Sequence, residues 1–537
     1  MTPFVFVGGS TLSNILSRLQ ARLRPLIAAT YRVLLSQSSL VGDRVLDCVK
    51  QLSDCVKQSD CVRRLTASPL GNVPRAAGYP VLGILPQMCN QGLYTTTMTT
   101  LFELAQDCGM SCSSVGTIPI VYLRDPAIIR QVFAKNADSI TRVGPDGKGP
   151  FSINHRMIGN TAATADGQDW HRWRNGFLRD FNNPAALKRS HRGILRIAQR
   201  HAQAIVDGRS GGDLLEAMQA YALDTVWLIA LGIDNASESS AELVSVLARY
   251  GEIVGSPSHL WRHALRNMVA GKPFREPDRV EQDIRDDLDA AMKTLLSRNL
   301  QDADSGSGGS SLLQRLAAQS RSSQQPLTED VLSQARQIFS LGHDPSALAL
   351  FWAILALNRH PEVLQKLRRE LCSKGCGRGD ASYGALRSMP YLDAVVTELF
   401  RLHPPISTTA RRVTHPIAVE TRDHDTVVLP RGTQLFSSVY LLHRDRQGWG
   451  GAADDFVPER WLGVNADSVR NRGEYLPFLA GPRACPSSGF VLLQVKTMLA
   501  VLLSRADIDI PNDVERVIGG VIRPNKPVGY EVREVTV

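Results

Sequence analysis

No two of the nine cysteines in this 537-residue chain form a C-x-x-C pair, which sets aside zinc-ribbon and dithiol redox motifs. Nine is an odd count as well, and the thiols read as mostly reduced, in a cytosol-like compartment. There is no basic block of nucleic-acid type. The formal charge of +9 comes from 61 Lys and Arg against 52 Asp and Glu, an excess spread along the chain that argues against a nucleic-acid partner and suits an acidic protein or a membrane surface. No G-x-G-x-x-G sits between a strand pattern and a helix pattern, so nothing resembles a flavin or nicotinamide domain. The apolar stretch Thr2 to Val7 is far shorter than the ~20 residues that span a bilayer, and Arg18, Arg22, Arg24 and Arg32 follow it. Acids are missing from residues 1 to 42, where Leu16, Leu19, Leu23, Leu26 and Ile27 recur at helical spacing. That combination points to an amphipathic interfacial anchor or a transit peptide.

What is present is enough apolar residue, 43% of the chain, for an extensive core. A short imperfect repeat at 47 to 63 (DCVKQ, DCVKQ, DCVR) reads as a duplicated helical leader, and the Pro- and Gly-containing stretch at 68 to 86 as the entrance to the folded domain. We therefore divide the chain into a leader, 1 to 68, and one large domain, 69 to 537. The Ser and Gly run at 302 to 311 reads as a solvated linker between helices. From about 185 to 375 the apolar spacing is helical, and 411 to 440 reads as short strands. The fold class is mainly α with a smaller β region late in the chain.

The longest helical pattern begins near Thr328, with Glu329 and Asp330 as first-turn acids, and runs to about Arg359. At ~1.5 Å per residue this is a rod of roughly 45 Å. In its middle stand Gly342, His343, Asp344, Pro345 and Ser346. A proline there removes a backbone hydrogen bond and clashes with the carbonyl of Leu341, so the spacing predicts a kink or an opening.

A lone cysteine is most often a small buried hydrophobe. Cys485 has a different context. It follows Gly481, Pro482 and Arg483 and precedes FVLLQVKTMLAVLL, an almost wholly apolar helix pattern. Just before a helix N-terminus, unpaired N–H groups favour a thiolate over a thiol, and Gly481 and Pro482 shape a tight, stiff turn. This is a sulfur presented for metal ligation.

The segment from Phe478 to Ser487 resembles the F-x-x-G-x-R-x-C-x-G haem-binding signature of the cytochrome P450 superfamily, with Ser487 in place of its last glycine. The resemblance implies that haem b lies between the long central helix and the cysteine loop, that Cys485 is the iron ligand, that Phe478 packs beside it, and that Arg483 pairs with a propionate. Three further motifs stand in the family's order. Glu398 and Arg401 match E-x-x-R, and Arg460 in FVPERW matches the arginine that completes a buried charge network behind the loop. Trp170 and Arg174 match W-x-x-x-R, whose two side chains reach the propionates; Arg411 is a further propionate candidate. The likeness covers roughly residues 70 to 537.

Where family members carry A/G-G-x-D/E-T-T/S, this chain has Leu341 to Ser346: the acid is kept as Asp344 and the threonine is Pro345. Three accounts of proton delivery stay open. Ser346 or a water replaces the hydroxyl with Asp344 feeding protons; the substrate supplies a hydroxyl; or the reaction is a rearrangement, dehydration or coupling without the usual oxygen activation. A non-catalytic haem sensor is the reading from another class. By resemblance the pocket draws on the 140 to 160 loop, Phe339, His343 and Ile406 to Ala410, which suits a lipophilic small molecule. The stretch TVVLPRGTQLFSSVYLLHRD resembles filamentous-fungal members, implying a secondary-metabolite intermediate. The implied electron donor is an NADPH-dependent flavin reductase on the cytosolic face of the endoplasmic reticulum, meeting basic residues such as Lys188 and Arg189. If the leader is a transit peptide, the donor is a mitochondrial ferredoxin.

Overall fold

The computed structural model describes residue 70, residues 73–76 and residues 97–535, apart from 116–117, 145, 148, 234–240, 256–258, 260–275, 302–310, 322–326 and 377–379. The leader at 1 to 68 and nearly all of the linker at 302 to 311 lie outside the described residues.

After a short helix at Thr97–Leu104 come strands β1 (Met110–Val115), β2 (Ile118–Leu123) and β3 (Ile140–Thr141), and after them helices α1 (Ser152–Ile158), α2 (Gly167–Phe181), α3 (Pro184–Val206) and α4 (Leu214–Leu231). Helix α3 starts where Asn183 accepts from the N–H groups of Ala185 and Ala186 and Pro184 takes the first helical position. Both devices satisfy or remove donors that a helix start leaves unpaired. Its buried stripe includes Ile194, Ile197, Ala198, Ala202 and Ile205. Helix α4 is apolar almost all round, and so lies in the core; it ends at Gly232, whose φ of 81° suits a residue without a Cβ.

Helix α5 (Arg279–Gln301) leads to the central pair α6 (Glu329–Gly342) and α7 (Asp344–Arg359). These form the long helix expected from the sequence, broken at His343, whose φ and ψ are −98° and −48°. The break sits two residues before Pro345, which has no N–H to continue the ladder. Beyond it every residue from Ser346 to Leu357 is buried. Helix α8 (Pro390–Leu402) precedes β4 (Thr408–Val413) and β5 (Gln434–Ser438); helix α9 (Ser488–Leu503) precedes the hairpin of β6 (Arg516–Ile518) and β7 (Ile522–Pro524).

The largest sheet has the order β1-β2-β5-β4-β3, with β2 and β5 parallel and the other neighbours antiparallel. This corrects the sequence expectation, which put the sheet late in the chain. Three of its five strands precede residue 142. Strand β1, MSCSSV, carries small polar residues rather than the β-branched alternation that marks a strand, and β3 has only two residues. Two-stranded sheets elsewhere pair Ile417–Glu420 with Thr426–Leu429 and Ala506–Asp509 with Glu531–Glu534.

Candidate functional site

The loop carrying Cys485 is closed by its own backbone: the N–H of Cys485 donates to the carbonyl of Phe478 at 2.8 Å, and that of Ala484 to Gly481 at 3.0 Å. Gly481 has φ 72°, and a Cβ there would lie 2.2 Å from the carbonyl oxygen of Phe133, so only glycine fits this crossing. The Phe478 ring sits 5.1 Å from that of Phe400 in α8, tying the loop to the core. Helix α9 then starts at Ser488, with Ser487 as its N-cap. Asn182 takes the helix-start donor of Gly489 at 2.9 Å. The Ser487 side chain makes no cap hydrogen bond, and its Oγ lies 3.6 Å from the Cys485 Sγ.

Three arginines belong to or bond this loop, and a fourth, Arg411, is coupled electrostatically to two of them. Arg483 donates to the Ala165 carbonyl at 2.6 Å and to Asp166 at 2.8 Å; Arg174 donates to the Ala484 carbonyl at 2.7 Å. Both guanidiniums lie against the Trp170 ring, at 4.2 and 5.6 Å from its centroid. Arg411, 2% exposed, donates to Thr409 and to its neighbour Ala410. Arg142 was not found from the sequence. It donates to the carbonyls of Ala163 (3.1 Å) and Arg483 (3.0 Å). No motif marks it, because its role comes from the approach of β3 to the cysteine loop.

Charge balance in this cluster is poor. Among the described residues, Asp166 is the one carboxylate paired with any of the four. Burial holds Arg142 down to about 10, and the adjacent Arg483 pushes the same way. Arg411 is lowered furthest, by burial first and by Arg142 and Arg483 after it. Burial likewise lowers Arg174 and Arg483. The Nε atoms of Arg142 and Arg411 are buried without hydrogen-bond partners among the described residues. Under-paired buried cations with spare donors fit a polyanionic group.

Behind the loop, Glu398 and Arg401 are both fully buried and joined by two bonds of 2.8 Å. Glu398 also accepts from Arg460 Nε, Trp461 Nε1 and the Val457 N–H, while Arg401 reaches the carbonyls of His443, Ala453 and Asp455. With both oxygens of Glu398 and all three nitrogens of Arg401 bonded, the network stiffens the segment beneath the cysteine loop.

On the other side, the break between α6 and α7 gathers polar groups. His343 Nδ1 donates to the Phe339 carbonyl at 2.6 Å, and burial lowers the imidazole's pKa. Asp344 accepts from Gln219 of α4 at 2.8 Å and pairs with Arg523 of β7 at 2.5 Å. Residues Leu341 to Pro345 are half-buried, whereas Ser346 is 1% exposed and its Oγ has no partner among the described residues. Phe339, expected to line a pocket, is fully buried with its ring 4.2 Å from Trp227 of α4.

The cytochrome P450 family model matches residues 73–532. The chain belongs to the cytochrome P450 family. Among curated relatives, it is 31% identical over 206 residues to cytochrome P450 monooxygenase claW of Ampulloclitocybe clavipes, a match covering 36% of this chain and 38% of that protein. It is 35% identical over 187 residues to cytochrome P450 52-M1 of Starmerella bombicola (33% and 34%), and 29% identical over 181 residues to secologanin synthase 1 of Catharanthus roseus (34% and 33%). The chain thus spans little more than a third of the length of these relatives.

Membership of the cytochrome P450 family implies a haem-iron cofactor, and the residues around Cys485 fit one. The spare guanidinium donors and the surplus positive charge near the cysteine loop suit a group that carries anionic substituents.

Proposed function

We propose that the protein is a haem-thiolate monooxygenase that hydroxylates, epoxidises or similarly oxidises a lipophilic small molecule, an intermediate of secondary metabolism. The observation that carries this reading is the under-paired buried cation cluster at the Cys485 loop, Arg142, Arg174 and Arg483, with Arg411 coupled to it. In it, haem b is held by Cys485 as iron ligand, by the four arginines and Trp170 at the propionates, and by Phe478 beside the sulfur. Bound through a thiolate, the haem supplies activation of O2. The chain supplies protons: Asp344, held at the helix break by Gln219 and Arg523, and the Ser346 hydroxyl two residues on are assigned that task. Electrons come from an NADPH-dependent flavin reductase docking on exposed basic residues, Lys188 and Arg189 of α3 among them.

Residues 69 to 537 would form the haem domain, with the leader holding it at the cytosolic face of the endoplasmic reticulum. Among the described residues, Leu214–Leu231 and Glu329–Arg359 are long and apolar enough to cross a bilayer, but 72% of each qualifying window is buried in the molecule. Membrane association therefore rests on the leader's composition. A reporter fused to the first 70 residues separates endoplasmic reticulum from mitochondrion, and with it flavin reductase from ferredoxin.

Reduction under carbon monoxide tests the central claim: a red-shifted Soret band is expected, and its absence from haem-replete protein overturns the reading. Pro345 favours a second reading, a rearrangement, dehydration or coupling. Single turnover under labelled O2 divides the two, since product without label excludes oxygen insertion.

A further inference from the structure

Ser487 stands where the cytochrome P450 signature has glycine, and its hydroxyl is in an unusual position for a helix start. A serine at an N-cap ordinarily turns its oxygen onto the N–H two or three residues ahead. Here that oxygen makes no such bond. Asn182, at the end of α2, reaches across and accepts from Gly489 N–H instead. Relieved of capping, the Ser487 Oγ lies 3.6 Å from the Cys485 Sγ and is the only polar partner of that sulfur among the described residues. The backbone there is unstrained, with φ −114° and ψ 18°, so the side chain is not forced into this place.

An iron-bound thiolate has no proton to donate. Any hydrogen bond between the two atoms then runs one way, from Ser487 O–H to sulfur. Resting on the proposed ligation by Cys485, we propose that Ser487 is a positioning and tuning residue: its hydroxyl donates to the ligand sulfur and withdraws electron density from it. The sulfur then donates less to the iron, which favours the ferrous over the ferric form. The first electron from the reductase enters more readily, and the push that thiolate ligation provides is moderated. The glycine of the signature cannot do this, since it carries no side-chain donor.

The test uses the full-length haem-loaded protein and three variants. Ser487→Ala and Ser487→Gly delete the hydroxyl, and glycine is the residue the family signature places there. Ser487→Thr keeps a hydroxyl. The carbon monoxide band of the native protein is measured first; if the thiolate band is missing, the ligation reading itself fails. With the band present, spectroelectrochemistry and the iron–sulfur stretching frequency report on the bond. The expected result is that Ala and Gly shift the ferric-to-ferrous ratio at fixed poise about tenfold toward ferric, 59 mV for one electron, and raise the stretching frequency, while Thr stays near the native protein. Ala and Gly variants matching the native values overturn the proposal, as does a Thr variant that shifts as far as Ala. If the Ala variant fails to retain haem, the Gly and Thr pair decides alone.

Discussion

Arg142 donates through Nη2 to the backbone carbonyl of Arg483 at 3.0 Å, which ties a second buried cation to the cysteine loop. Burial first and the Arg483 charge after it lower the proton affinity of Arg142, and the Nε of Arg142 is left unpaired among the described residues. In the protein alone this pairing is unfavourable; opposite a dianion it is favourable.

A sign split follows for Arg142→Gln. Removing one of several mutually repelling buried cations should leave the haem-free protein as stable as before or more stable. The same change should weaken haem retention by about 10- to 150-fold, the ~1.5–3 kcal/mol of a hydrogen bond to a charged group. Urea unfolding of the haem-free form and haem transfer to an excess of an acceptor globin measure the two halves. A loss of stability in both forms would show that Arg142 is merely structural.

Glu398 takes five donors, and none of them has another carboxylate within reach in the described network. Glu398→Gln keeps the shape but turns an amide N–H2 toward groups that also donate, leaving the Arg401 charge buried and uncompensated. Such breaks cost about 3–5 kcal/mol. Chemical unfolding should show that loss, whereas the exposed pair of Arg249 and Asp287, removed by Asp287→Asn, should cost under ~1 kcal/mol.

The residues of this network were legible because their spacing is local: Glu398 and Arg401 are one helical turn apart, and Phe478, Arg483 and Cys485 share one loop. Apolar periodicity likewise marked the helices and the proline break at His343. Arg142 was not legible, since its partners are backbone carbonyls of distant segments, and a carbonyl has no sequence signature. The same holds for β3, two residues long and paired with β4 far along the chain, while β1 was hidden by its small polar residues. Ser487 was visible as a departure from a signature, but only the diversion of capping to Asn182 showed where its hydroxyl points.

His443 sets a pH dependence. Its Nδ1 donates to the Arg401 carbonyl at 3.0 Å and its Nε2 accepts from the Leu476 N–H at 2.7 Å, so the ring is held neutral. Burial, with Arg401 adding to it, lowers its pKa to about 3. Below about pH 6.5 the unfolded chain binds a proton that the folded protein refuses, so stability falls with pH by about 1.4 kcal/mol per unit until about pH 3. His443→Asn should be less stable at neutral pH yet show a shallower decline on acidification. Urea midpoints at successive pH values check this; an unchanged slope would remove His443 from the acid response.

Ser346 separates a proton-relay role from a packing role, because the two predict opposite things of one variant. A buried hydroxyl without a partner carries a desolvation penalty of about 1–3 kcal/mol, and the Ser346 Oγ is in that situation among the described residues. Ser346→Ala should therefore fold at least as well as the native protein and keep its haem. Against that background, any loss of function is chemical. If the hydroxyl passes protons from the break that Asp344 occupies, substrate-dependent NADPH consumption should continue while product per NADPH falls by about tenfold or more, since a positioned proton donor contributes ~10²–10⁴ to such steps. Unchanged coupling in a stable variant would take Ser346 out of the relay, leaving Asp344 with its tether to Arg523. Arg523→Gln would then be the informative change, since freeing the carboxylate should alter coupling without touching the Cys485 side.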